Sequence, residues 1–320
     1  MVKAHLNITA RLVGYLLVAG IVAYLLVFGL AAFQIARDIV ITQASEYDQR
    51  LVSDTSSYLR LYRNQVEDLA ANIAGNEAIA RALHDADSRA ASSYEVLNAK
   101  AQLGYILNGF VRVKGLVSLD LFSLKGQHFH VGETLNVSGI QVDVVRRMIQ
   151  EASATDNALV WRGIEDNINT ASLQKKVITV TRLIKYFSPE TGTTNTVGLL
   201  AINLNDEVMH EYFSVEKAQG GLRMMLIDHQ GRLMYHPDRT LLGLPIAPEL
   251  LQRVKDGKTS HNLRLDGQDV ILTTQPLQGI AGFLVLATPL SLHTAPVNRL
   301  ATAAAFLLLL GLAGIGLFAL

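Results

Sequence analysis

The chain has 320 residues, with 28 lysines and arginines balanced by 28 aspartates and glutamates, and it has no cysteine. A zero net charge without a basic run excludes a nucleic-acid partner. The missing cysteine excludes disulfides, thiol chemistry and cysteine-ligated metal, and the length leaves room for two lobes with connections.

Leu12 to Phe33 carries no charge. That is about 22 residues, enough at 1.5 Å each to cross roughly 30 Å of hydrocarbon. The run is longer than the apolar core of a cleaved signal peptide, so residues 12–33 are read as a retained transmembrane helix. Lys3 and Arg11 precede it with no acidic residue among them. Residues 1–11 are therefore expected in the cytoplasm and residues 34–297 across the membrane. Ala301 to Leu320 is a second apolar run, making residues 298–320 the second transmembrane helix. It stops flush with Leu320, and a longer protein with a cytoplasmic part is expected.

Beyond the first span, Leu51, Thr55, Tyr58, Tyr62, Val66, Leu69 and Ile73 recur at steps of three and four. This is one apolar stripe on a helix. It reaches back through Ile39 and Ile35 and is interrupted by Gly75-Asn76. Residues 34–83, including a shorter helix near Ala78 to Leu83, are assigned as a stalk. After a polar stretch from His84 to Ser93, a third helix carries Tyr94, Leu97, Ala101, Tyr105 and Ile106. A first lobe is placed at residues 84–213, its crossover helix from Asn205 capped by Asn203 or Asn205. A second lobe occupies residues 214–297, opening at Gly220-Gly221.

The two lobes repeat one pattern. Leu226-Ile227-Asp228-His229-Gln230-Gly231-Arg232-Leu233-Met234-Tyr235-His236-Pro237-Asp238 is a hairpin whose turn uses Gly231, and Pro237 ends it. Roughly 105 residues earlier, Leu119 to His130 repeats it with Gly126 under Gly231 and Phe122 under Ile227. Helical patterns at Val144–Ser153 and Glu249–Gly257 follow, then the strands Val177–Thr181 and Val270–Thr274, then Gly198–Ile202 and Gly282–Leu286. Each unit reads hairpin, helix and two more strands, a duplicated antiparallel α+β lobe.

Few residues suggest chemistry. His128 and His130 lie two apart in a strand and face one way; they form a metal pair without an evident third ligand, and no metal or cofactor is assigned. Asp228, His236 and Asp238 have no nucleophile, Walker loop or HExxH beside them, so they are read as turn chemistry and no catalytic residue is assigned. Trp161 is the sole tryptophan, followed by Arg162 and, after further polar residues, Asn167. Thr179 and Thr181 share one strand face, Ile178 and Val180 the other, and Asp120 alternates against Val117, Leu119 and Leu121. Asp120, His128, His130, Trp161, Arg162, Asn167, Thr179 and Thr181 therefore form the candidate site for a small polar ligand. The alternative is a solvated sheet face with one packed tryptophan.

The span, stalk, paired lobes and second span resemble the double Cache, or periplasmic PAS-like, sensor domains. The stretch Asp228, Gly231, His236-Pro237-Asp238 and Leu242-Gly243 is similar to that family's recurring D-x-x-G-x-x-x-x-H-P-D … L-G pattern. The resemblance implies a homodimeric receptor of the bacterial inner membrane that binds its ligand in the membrane-distal first lobe. It further implies a cytoplasmic diguanylate cyclase, histidine kinase or chemotaxis output. Val117 to Phe122 with Gly126 and His130-Val131-Gly132 looks most like the sensors of diguanylate cyclases. The family's amino-acid signature, Arg-x-Trp-Tyr, is absent, because Trp161 lies between Val160 and Arg162. Two rivals remain, a membrane-anchored binding or scaffold protein without an output domain and an extracytoplasmic enzyme.

Overall fold

A computed structural model describes residues 2–87, 93–154, 159–214, 221–256, 260–265, 267–280 and 282–319. Residues 88–92 of the polar stretch after His84 and Gly220, expected to open the second lobe, lie outside them. The chain divides into two compact units. One comprises Met1–Gln49, Asn262–Ile271 and Thr288–Leu320, the other Arg50–His261 and Leu272–Ala287.

Among the described residues, two helices are long and apolar enough to cross a membrane. They are α1 (Val2–Ala74) and the last helix, α7 (Leu290–Ala319). Their apolar side chains, among them Leu16, Tyr24, Phe28, Leu307 and Leu310, are exposed, as side chains directed at lipid would be. Pro296 lies inside α7.

From Thr55 onward the α1 stripe behaves as its spacing predicts. Thr55, Tyr62, Val66, Leu69 and Ile73 are buried, whereas Ile35 and Ile39 are exposed. Complete burial of an aliphatic side chain contributes about 1.5–3 kcal/mol, so this half of the helix is held by packing. Gly75 ends α1, and the Asn76 side chain accepts from the Ala78 and Ile79 amides to start α2 (Glu77–Ala86). In α3 (Ser93–Asn108) Ala99, Leu103 and Leu107 are buried. Tyr94, Leu97 and Tyr105 are exposed. Two apolar stripes share this helix, and the one with smaller side chains faces the core.

The first sheet comprises β1 (Leu116–Ser123), β2 (His128–Gly132), β3 (Val160–Asp166), β4 (Lys176–Ser188) and β5 (Thr193–Leu204), ordered β2-β1-β5-β4-β3. Helix α4 (Val142–Ala154) follows the hairpin, and α5 (Glu207–Ser214) follows the sheet. The second sheet repeats the order as β7-β6-β10-β9-β8. Its strands are β6 (Arg223–Asp228), β7 (Leu233–Tyr235), β8 (Ser260–Leu265), β9 (Gln268–Leu277) and β10 (Gly282–Pro289), with α6 (Pro248–Lys255) after the hairpin. The expected duplication of an antiparallel α+β lobe is present. Each lobe has three strands after its helix rather than two, β3 and β8 being the additions. In β3 the register shifts between Trp161 and Ile164, and a bulge there disguises the two-residue alternation.

One apolar cluster collects Leu59, Val66 and Ile73 of α1, Leu119, Val180 and Ile202 of the first sheet, and Leu226, Leu284 and Leu286 of the second. On the other face of the first sheet, Val145, Met148 and Ala152 of α4 cover Phe122, Leu183, Leu199 and Ala201. The β3 bulge is also where the lobes meet. Gly163 has φ +76°, and a Cβ there would stand 2.8 Å from Asp228 Oδ2. Asp228 is itself committed. Its Oδ1 accepts from the Gln230 and Arg232 amides at 2.9 and 2.8 Å, and its Oδ2 from Arg232 Nε at 2.7 Å. These bonds are the turn chemistry expected of it. Gly163→Ala should therefore lose about 2–4 kcal/mol in denaturant unfolding of the full chain. Gly192→Ala, at φ +66° with open space around it, should lose only the left-handed strain of about 1–2 kcal/mol. Equal losses would show that Asp228 yields without cost.

Candidate functional site

Strand register sets out the polar face of the first sheet. Asp120 pairs with His130 on one side and Ala201 on the other, and Ala201 pairs with Thr181. One step along, Ser118 pairs with Asn203 and Asn203 with Thr179. A step the other way brings Phe122 beside His128 and Leu199. All these side chains rise from one face because each lies two positions from the next along its strand.

Asp120 is the centre of this face and is 1% exposed. Its Oδ1 meets His128 Nε2 at 2.8 Å and His130 Nδ1 at 2.7 Å. Oδ2 accepts from Ser118 Oγ at 2.7 Å and Asn203 Nδ2 at 3.1 Å. Thr179 Oγ1 donates to Asn203 Oδ1 at 3.0 Å and fixes that amide. His128 stacks on Phe122, rings 4.6 Å apart, and His130 Nε2 lies 2.7 Å from the Thr134 carbonyl. Burial opposes ionisation of Asp120 and is the largest single effect. Hydrogen bonds from His128 and His130, with their charge, outweigh it and hold the carboxyl below its ordinary 3.8. Burial likewise opposes charge on His130, yet the Asp120 bond and charge and the Thr134 carbonyl raise it above 6.5. The three donor atoms of Asp120, His128 and His130 lie within 4.8 Å of one another, a set able to hold a metal ion. Asp120 is the third donor that the spacing of the two histidines does not reveal.

The other candidates separate. Thr181 is buried on this face, one strand beyond Ala201, and its hydroxyl has no hydrogen-bond partner among the described residues. Trp161 does not belong with them, which corrects its grouping. It pairs with Val180, whose side chain lies in the α1 cluster, and its Nε1 donates to Glu67 Oε1 of α1 at 3.1 Å. Arg162 turns towards α4, where it binds Glu151, and it also grips Glu165 through Nε and Nη2 at 3.0 and 3.2 Å. Two carboxylates thus occupy the cation expected to meet a ligand. Asn167 builds the turn before β4, donating to the Gln174 carbonyl and accepting from the Asn169 amide, each at 2.9 Å. Ser118 and Asn203 were missed. Asn203 reads as a helix cap in the sequence, but Asn205 takes that role, accepting from the Glu207 amide at 3.0 Å.

The charged pair carries a pH signature. A histidine raised on folding stabilises below its unfolded value near 6.5 and loses this as pH climbs through the folded value. A lowered aspartate stabilises above 3.8 and loses this as pH falls through the folded value. In chelator-containing buffer, Asp120→Asn should cost about 3 kcal/mol near pH 6. The cost should shrink well above 6.5, as read from unfolding curves across pH. A cost independent of pH would remove the ionic part of this account.

No family model matches the sequence, and no curated protein matches it. Solved structures do match. The ligand-binding domain of the Pseudomonas fluorescens chemoreceptor CtaA, in complex with L-isoleucine, is 16% identical with a TM-score of 0.56, covering 79% of this chain and 95% of that one. That of the Campylobacter jejuni chemoreceptor Tlp3, in complex with L-valine, is 14% identical at 0.57, covering 81% and 97%. That of the Pseudomonas aeruginosa amino acid chemoreceptor PctC, in complex with GABA, is 15% identical at 0.53, covering 77% and 99%. With two antiparallel five-stranded sheets in tandem after a long N-terminal helix, this chain has the double Cache fold of those bacterial ligand-binding domains.

Proposed function

We propose that this chain is the extracytoplasmic sensor module of a bacterial inner-membrane receptor. It binds a small polar ligand on the polar face of the first sheet, at Asp120, His128, His130, Thr179 and Thr181. Binding biases helices α1 and α7, which carry the response to a cytoplasmic output of the diguanylate cyclase, kinase or chemotaxis kind. A ligand biases two arrangements only by its differential affinity for them.

One observation carries this reading, namely that the duplicated lobes differ on this face. The pair equivalent to Asp120 and Ala201 in the second sheet is Met225 and Val285. Where His128 pairs with Phe122, Leu233 pairs with Ile227. Met225, Val285 and Leu233 are all buried. At these positions the second lobe packs its sheet with apolar side chains. The first lobe instead buries the Asp120 charge at that pair, and a buried charge opposes folding unless something matches it. Thr181 adds a buried hydroxyl without a hydrogen-bond partner among the described residues, a feature the second lobe shares at Thr273 and Thr288.

Thermal unfolding of the full chain in nanodiscs tests the reading. The panel contains amino acids, GABA, dicarboxylates and polyamines. One class is expected to stabilise, and at 100 times Kd a ligand adds about 2.7 kcal/mol, roughly 5–10 °C for a chain of this size. Thr181→Val should abolish that shift while raising the ligand-free melting temperature, because it removes a buried hydroxyl without a partner. Trp161→Phe should retain the shift. A shift that survives Thr181→Val and Asp120→Asn alike would place the ligand elsewhere.

A further inference from the structure

The Asp120 cluster has the makings of more than a hydrogen-bonded site. His130 Nε2 faces the Thr134 carbonyl and Nδ1 faces Asp120 Oδ1, so both ring nitrogens address acceptors. A neutral imidazole has one N–H and one lone pair. With Nε2–H given to the carbonyl, Nδ1 presents its lone pair to a carboxylate oxygen, and only a cation between them satisfies both. His128 Nε2 converges on the same oxygen. Among the described residues, this is where two imidazoles and a carboxylate come together.

We infer that Asp120 Oδ1, His128 Nε2 and His130 Nδ1 bind one divalent transition-metal ion of the zinc type, leaving a fourth coordination position for water or a ligand oxygen. Two nitrogens and one oxygen are the donor set of three-ligand zinc sites that keep a position open. Hard cations such as Ca²⁺ and Mg²⁺ prefer all-oxygen surroundings. The supporting contacts are those that metal sites use. His130 is oriented by a backbone carbonyl on its far nitrogen, and the outer oxygen of Asp120 is held by Ser118 and Asn203. Metal–ligand bonds of about 2.0–2.1 Å set tetrahedral donors about 3.3 Å apart, so the donors must part by roughly half an ångström. The His128 ring can supply this, since its side chain is 15% exposed and can slide over Phe122. A proton on the ring is the competing cation, and metal binding displaces it. In the second lobe, Met225 and Leu233 stand where Asp120 and His128 do, so the site belongs to the first lobe alone.

This deepens the sensory reading by naming an ion at its site, and it is tested separately from metabolite binding. Untagged full chain in nanodiscs is stripped with chelator and titrated with Zn²⁺ against a chromophoric chelator, with bound metal counted by mass spectrometry. One Zn²⁺ per chain is expected, with no competition from Mg²⁺ or Ca²⁺ and a raised melting temperature. His128→Ala and His130→Ala should weaken binding at least about 100-fold. Ser118→Ala should weaken it by roughly 10- to 100-fold, as loss of an outer-shell partner does. His229→Ala, at an exposed turn, should change nothing. Circular dichroism separates lost ligation from lost folding, and the conservative His128→Gln gives a second variant that keeps the packing. No bound Zn²⁺ in the folded wild type, or equal binding by the His128 variants, overturns the site. A metabolite shift that persists in chelator would then leave the sensory reading standing. Zn²⁺ bound without any metabolite shift would leave this site standing and that reading without its ligand.

Discussion

Asp120 is an ionised carboxylate almost without access to water, and a buried charge costs several kcal/mol unless it is matched where it stands. The neighbouring strands supply that match. β2 brings both histidines to one oxygen, while β1 itself and β5 bring Ser118 and Asn203 to the other. The first sheet is thereby tied across three strands by side chains as well as by its backbone ladder. A slip of one residue in either pairing would turn those partners to the opposite face. Register and charge compensation therefore enforce each other.

Around that centre the molecule keeps its two sheet faces chemically distinct. The α1 side carries one apolar cluster drawn from both lobes. The α4 side of the first lobe mixes an apolar patch under the helix with the polar rows beyond it. Arg162 bridges the two by holding Glu151 of α4 beside the β3 edge. Trp161 and Arg162 are consecutive and point to opposite faces, one to the stalk and the other to the covering helix. The edge strand thus connects both layers to the sheet, and its bulge brings Gly163 against Asp228 of the second lobe.

Duplication gives the comparison its force. Equivalent strand pairs in the two sheets hold Asp120 beside Ala201 and Met225 beside Val285. A scaffold that folds well with the apolar pair has no structural need of the polar one. The polar face is a departure from what packing requires, and such departures are where function is found.

The linear order of residues determined much of this by itself. Alternation in β1 and β4 set Asp120, Thr179 and Thr181 each on one side of its strand, and the two-residue step did the same for His128 and His130. The stripe from Thr55 to Ile73, the two apolar runs and the repeated hairpin were equally legible, because helix and strand periods are local properties. What local periods do not encode is which strands become neighbours. Only tertiary structure joined His128 and His130 to Asp120, recruited Ser118 and Asn203, and left Thr181 unpartnered across Ala201. It also reversed the placement of Trp161, because a bulge at Gly163 obscures the alternation on which such a reading depends. In α3 it chose the Ala99, Leu103 and Leu107 face over the more aromatic one. Two stripes of similar apolarity cannot be ranked by periodicity, and the space left by neighbouring elements decided between them.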